Sequence, residues 1–384
     1  MKLYGMFLMA GAMVSAVSAG AGKICDMDPV VTPAPATPVT DAPVPQTDEP
    51  ATPATVAPVT EAPVTQVDTP QQQGSEVAVD GRHGLELLLV HGRELRTYEQ
   101  VTDIASCIKT PVTTSNPVSP LDSGVTLALR GPMTISGIGV FINTNGTWAK
   151  VSSYENGGAA TNMVFLNNEN IDYTGGGSPE GFCEADGTGV AKQSTPFSGT
   201  LAAASNPGGG SIVASEATGA EVHIMTENKC GVDVECEGAY DKDGTAYQGW
   251  TGGKKIFVFK VSMADGGAPN VPAAWLLPDQ VTHSGQYGCN CRGKGPAGGC
   301  GELDIVEVLE KDTSYVATHF YFYKGKYNPG NDQFAKRPTD GPATYVTIID
   351  EDYGVKVIQI GADDFDFSCG SITNDVVSQW EAAE

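Results

Sequence analysis

From about Ser123 onward the chain becomes a series of short β-like runs separated by Gly, Asn, Asp and Pro. "GVTLALRG", "GIGVFINTNGTWAKVSSY", "TNMVFLNN", "AEVHIMTE", "KKIFVFKVSM", "ATHFYFYKG", "ATYVTIID" and "KVIQIG" are such β-like runs, and several of them alternate apolar and polar residues. A strand turns successive side chains to opposite faces, so a period of two marks a half-buried strand. Asn145-Gly146, between two such runs, is a dipeptide that tolerates the left-handed backbone of a tight hairpin. Many short strands, Gly-rich turns and almost no helical period predict an all-β chain built as a β-sandwich. One helix is expected, around Leu85 to Tyr98, on a poor period.

The 384 residues leave room for more than one domain. Residues 1–19 place one Lys before an apolar stretch that ends in Val17, Ser18 and Ala19, the form of a secretory signal. A membrane anchor is the alternative, but the stretch falls short of the about 20 residues that span a bilayer. Residues 20–75 are dense in Pro and Thr, with too few large apolar groups to offset the entropy of ordering them. The tract reads as a mucin-like, O-glycosylated stalk or as a plain flexible linker. A Gly-rich passage around "SNPGGGS" suggests a smaller N-terminal β module over 76–200 and a larger β-sandwich over 201–384.

A formal net charge of −24 excludes nucleic acid and anionic lipid as partners unless a basic face compensates. A neutral polymer meets no such barrier. Nine cysteines suit an oxidising compartment, with Cys25 expected to be the odd one. Cys289, Cys291 and Cys300 fit no common zinc spacing and are expected in disulfides, and Cys230 and Cys236 are placed to close a short loop. "GCNCRGK" has part of a phosphate-loop spacing but Gly295 stands where Ser or Thr is required. Neither a metal nor another cofactor is expected.

Within "GGCGELDIVEVLE", Glu302, Asp304 and Glu307 sit among Leu303, Ile305, Val306 and Val308. On a flat strand Glu302 and Asp304 share a face and Glu307 falls on the other. A β-bulge at Ile305 or Val306 would return Glu307 to the face of the other two. Aligned carboxylates suit glycoside hydrolysis, where a retaining enzyme sets a nucleophile and an acid about 5–5.5 Å apart. The middle acid would tune the pair, because like charges that close resist simultaneous ionisation. The plain alternative is an edge strand whose acidic face meets water.

The pattern Glu302-Leu-Asp304-Ile-Val-Glu307 resembles the bulged acidic motif of family-16 glycoside hydrolases of the laminarinase type. "NVPAAWLLPDQVTHSGQYGCNCRGKGPAGGCGELDIVEVL" is similar to a fungal and oomycete family of cell-wall proteins described as glucan endo-1,3-β-D-glucosidases. That family has an Ala-Ile-Trp segment, a Tyr-Gly and Cys-x-Cys cluster, then Gly-Cys-Gly-Glu-Phe-Asp and a second Glu. This chain differs in Leu303 and in a longer insert after Cys291. "RGPMTISGIGVFI", "TNMVFLNN", "EVHIMTENKC" and "AYQGWTGGKKIFVFKVSM" extend the resemblance over roughly residues 125–370.

The resemblance implies a jelly-roll, concanavalin-like β-sandwich acting on β-glucan. It makes Glu302 the nucleophile, Glu307 the acid/base and Asp304 the residue between them. Trp275 becomes a sugar platform, though tryptophans are commonly core. His319 on the next candidate strand is a ligand to a carboxylate or a sugar hydroxyl, or a structural histidine. Tyr287, Trp250, Tyr321 and Tyr323 are further aromatic candidates, most of them expected to be packing residues. Asn145-Gly146-Thr147 is also a glycosylation sequon.

The expectation is a secreted, monomeric retaining glycosidase of the cell wall with no membrane span. Two other readings stand beside it: a transglycosylase that rebuilds glucan with the same carboxylates, and a non-catalytic glucan-binding wall protein.

Overall fold

The computed structural model describes residues 95–168, 180–184, 189–201, 221–242, 245–264, 271–285, 301–309, 314–321 and 330–383. The signal segment, the Pro/Thr tract, Cys25, Tyr287, Tyr323, Cys289, Cys291 and Cys300 lie outside these residues.

In chain order the elements are β1 (Arg96–Asp103), β2 (Ile108–Thr114), β3 (Val125–Arg130), β4 (Met133–Thr144), β5 (Thr147–Glu155), β6 (Val164–Asn168), β7 (Phe182–Cys183), β8 (Thr200–Leu201) and β9 (Glu221–Met225). They continue with β10 (Lys254–Ser262), β11 (Ala273–Pro278), α1 (Asp279–His283), β12 (Glu302–Glu307), β13 (Tyr315–Tyr321), β14 (Gly330–Lys336), β15 (Ala343–Asp350), β16 (Gly354–Ile360), β17 (Ser371–Ile372) and α2 (Asn374–Glu381). Each run quoted above contains a strand. The helix expected around Leu85 to Tyr98 is overturned where it can be seen, since Arg96 to Tyr98 open β1. Cross-strand pairing with β2 outweighs a weak helical period there, and Val101 is buried.

The strands form two large antiparallel sheets and the separate β1-β2 hairpin. One sheet runs β16-β15-β10-β4-β5-β17, with β8 on β4; the other runs β14-β13-β12-β11-β3-β9-β6-β7. The Gly-rich passage does not separate two sheets: β3, from before it, lies between β11 and β9, and β4 lies between β10 and β5. Antiparallel pairing lets strands far apart in sequence become neighbours.

Period two explains the layers. Val125, Leu127 and Leu129 of β3, Ala274 and Leu276 of β11, and Leu303, Ile305 and Val306 of β12 turn inward. They meet Ile138 and Val140 of β4, Phe257 and Phe259 of β10, and Tyr345 and Ile349 of β15 in one core. This is a β-sandwich. Trp250 belongs to that core, with its indole N–H donating to Ser152 Oγ at 2.8 Å, so it is not a sugar platform.

The outer face of the first sheet carries Phe141, Trp148, Ile256, Val258, Val346, Ile348 and Ile358. Phe365, Phe367 and the α2 residues Val377 and Trp380 cover it. Thr373 caps α2 by accepting the Val376 N–H, and Asn374 bridges the Trp148 indole N–H and the Gly146 carbonyl. That contact pins the β4-β5 hairpin, whose turn has Asn145 at φ 55° and Gly146 at φ 85°. Asn145 and Thr147 are exposed there.

Asp279 and Lys255 are among the ionisable side chains buried in the sandwich. Asp279 opens α1 and accepts the Gly249 N–H, and burial raises its pKa. Lys255 of β10 donates to the carbonyls of Ser123 and Gly252, and burial lowers its pKa to about 7. Cys230 and Cys236 form the expected disulfide; Cys107 and Cys369 are also disulfide-bonded. Cys183 is buried, and its sulfur accepts from Asn167 Nδ2 at 2.9 Å. Among the described residues no helix is long and apolar enough to cross a membrane.

Candidate functional site

Strand β12 is central in its sheet, between β11 and β13, so its acidic side chains do not sit on an edge in water. Across β11, Trp275 pairs with Asp304 while Ala274 pairs with Val306, which leaves Ile305 unopposed. The bulge expected at Ile305 or Val306 is therefore present. Ile305 and Val306 both point into the core, and alternation resumes with Glu307 on the opposite side, the side that Glu302 and Asp304 already occupy. The Thr318 hydroxyl donates to the Asp304 carbonyl at 2.7 Å and holds the irregular backbone.

The neighbours follow from register. Asp304 is opposite His319 of β13, and Glu302 is opposite Tyr321. One oxygen of Asp304, one of Glu307 and one ring nitrogen of His319 lie within 4.8 Å of one another. His319 Nε2 is 2.9 Å from Asp332 Oδ1 on β14, so this nitrogen donates to that carboxylate and the contact orients the ring. Gly330 makes this approach feasible: a Cβ there would fall 2.0 Å from His319 Cδ2. Tyr321 stacks on His319 with ring centroids 6.0 Å apart.

Glu302 and Asp304 are 4% and 5% exposed, whereas the Glu307 side chain is 23% exposed. Arg130, at the end of β3, reaches Glu307 Oε1 with Nη2 at 3.2 Å. Its Nε donates to the Val271 carbonyl at 2.7 Å, and its guanidinium carbon lies 5.7 Å from the centre of the Trp275 ring. Trp275, only 4% exposed, packs with Ala128, Ala273, Leu277 and Val281. It lies on the acidic face itself, directly across from Asp304. The same row of the sheet continues from Trp275 through Ala128 to His223, whose Nε2 lies 3.5 Å from Glu221 Oε2 in a fully buried pair.

The structure thus gathers Glu302, Asp304, Glu307, His319 and Trp275 on one face. Tyr287 lies outside the described residues, and Asn145 belongs to the other sheet. Arg130, Asp332 and the Glu221–His223 pair were missed from sequence. Arg130 had a faint signal, a cation closing an otherwise apolar strand; Asp332 had none.

Chemically the site combines three carboxylates, a carboxylate-oriented imidazole and one guanidinium. Asp304, Glu307 and His319 are near enough to converge on a cation, but the Arg130 charge beside Glu307 opposes one. The arrangement is suited to moving protons and to attack by a carboxylate.

A family profile described as cell wall protein YJL171C/Tos1, C-terminal, matches residues 146–380, and its N-terminal counterpart matches residues 94–143. The chain is 32% identical over 257 residues to "Probable circularly permuted 1,3-beta-glucanase TOS1" of Candida albicans, covering 62% of this chain and 50% of that protein. The Saccharomyces cerevisiae protein of the same name is 31% identical over 255 residues, with 62% and 50% covered. "Probable circularly permuted 1,3-beta-glucanase PGA52" of Candida albicans is 28% identical over 264 residues, with 62% and 64% covered. The chain therefore spans about half the length of the TOS1 proteins it matches. No solved structure matches it. With profile matches over both of its parts, the chain belongs to the YJL171C/Tos1 family of cell wall proteins.

Proposed function

We propose that this protein cleaves β-1,3-glucan of the cell wall by a retaining, double-displacement mechanism. The bulge at Ile305 carries the reading, because it turns Glu307 to the face of Glu302 and Asp304, where a flat strand would put it on the other side. The names of the relatives supply the substrate class.

In the first step Glu302 attacks the anomeric carbon, the glycosidic C–O bond breaks, and Glu307 gives its proton to the departing oxygen. In the second, water attacks the glycosyl ester, its proton passes to Glu307, and Glu302 is released. Asp304 lies between the two and is held opposite His319. Membership of a cell wall family, and a net charge of −24 that does not repel a neutral polysaccharide, agree with this substrate.

The test is reducing-end release from a linear β-1,3-glucan by the full chain, run beside Glu302→Gln and Glu307→Gln. Release by the parent and loss in both folded variants is the expected result. Glucan binding without release would overturn hydrolysis, and products longer than the substrate would replace it with glycosyl transfer.

A further inference from the structure

Arg130 does not face Glu307 from a neighbouring strand. Ala273 of β11 lies between them, paired with Arg130 on one side and with Glu307 on the other. Two strand spacings, each about 4.8 Å, separate the two backbones. Only a long side chain crosses that span, and it crosses because the intervening residue is an alanine. Its guanidinium is then fixed at three points: the Val271 carbonyl, the Trp275 ring and Glu307 Oε1.

We infer that Arg130 is a positioning residue that decides which oxygen of Glu307 carries the proton. The inference rests on Glu307 acting as the acid/base. A guanidinium has donors and no acceptor, so the carboxyl oxygen it contacts must accept. That oxygen is Oε1, which leaves Oε2 to hold the transferable hydrogen. Oε2–H then donates to the glycosidic oxygen as the C–O bond breaks, and in the second step Oε2 takes the proton of the attacking water. Oε1 stays on Arg130 throughout. Without that anchor the carboxyl group rotates and the proton occupies either oxygen, so fewer molecules present it correctly.

Such a role has a signature that a structural role lacks, namely dependence on how much the leaving group needs a proton. The full chain is assayed for kcat/KM on a β-1,3-glucan oligosaccharide and on the dinitrophenyl glycoside of the same sugar, whose leaving group departs unprotonated. Arg130→Met is expected to lose roughly 10- to 100-fold on the oligosaccharide and less than about 3-fold on the aryl glycoside. Oligosaccharide binding by Arg130→Met, measured by calorimetry, stays within about twofold of the parent. Arg130→Lys keeps the charge without the planar fork and falls between parent and Arg130→Met. Ala273→Leu, which blocks the crossing and leaves the arginine in place, shows the same leaving-group dependence.

Equal losses on both substrates, or a loss traced to weaker binding, overturn the inference and leave the glucanase reading standing. If Glu307→Gln also lacks the leaving-group dependence, the assignment of Glu307 itself falls. A parent inert toward both substrates overturns the proposed function and this inference together.

Discussion

The two sheets turn very different faces away from the shared core. On the first, Phe141, Trp148, Ile256 and Val258 lie under Phe365, Phe367 and Trp380, so its outer face is a second apolar layer. On the second, the central strands present Glu302, Asp304, Glu307, His319 and Arg130. The first face is closed by aromatic packing, with Phe365 and Phe367 edge to face at 5.0 Å. The second holds carboxylates at low exposure, an arrangement that costs stability unless each charge is met by partners. One face stabilises the sandwich and the other uses that stability to hold unfavourable groups in fixed positions.

Substitutions that separate activity from stability probe this contrast directly. The largest effect is expected from Glu307→Gln, with glucan cleavage reduced roughly 10²- to 10⁴-fold as general acid catalysis is lost. The melting temperature should move little, because the side chain is partly exposed and keeps a hydrogen-bonding amide. A large drop in melting temperature would show that this face is structural. Phe365→Ala should do the reverse, destabilising the protein by about 3–5 kcal/mol with activity per folded molecule unchanged. Chemical denaturation and active-site-normalised rates check both halves.

Lys255 tests the interior between the two faces. Burial lowers the pKa of its amine from the ordinary 10.5 to about 7, so between those values the unfolded chain binds more protons than the folded one. Stability contributed by this group therefore rises with pH across that window, by at most about 1.4 kcal/mol per unit, and is lost as pH falls through about 7. In Lys255→Met that slope disappears, and parallel stability curves for parent and variant between pH 7 and 9 would refute the assignment. The smallest effect is expected at Asp332, whose side chain is 67% exposed. Asp332→Asn should lower activity about two- to fivefold, since an exposed pair contributes at most about 1 kcal/mol. No change in activity would reduce the Asp332–His319 contact to a surface pair.

The legible parts of the molecule are those that depend on local alternation. The quoted runs became strands, Asn145-Gly146 became the β4-β5 turn, and the spacing of Glu302, Asp304 and Glu307 raised the bulge that the register with β11 contains. Where the local pattern was weak the reading failed: Arg96 to Tyr98 form a strand because β2 pairs with them. Trp250 was offered as a sugar platform and is core, because composition does not tell which side of a sheet a tryptophan fills. Asp332 and Gly330 gave no signal, since their importance lies in meeting His319 across β13 and β14.

By itself the sequence determined the fold class and the position of most strands, because alternation is a property of the covalent backbone and needs no partner. Only the tertiary structure decided that β3 lies beside β11, so that Arg130 reaches over Ala273 to Glu307, and that β14 lies beside β13, so that Asp332 meets His319. Strand order is set by burial summed over both sheets, and no segment of the chain holds that sum alone.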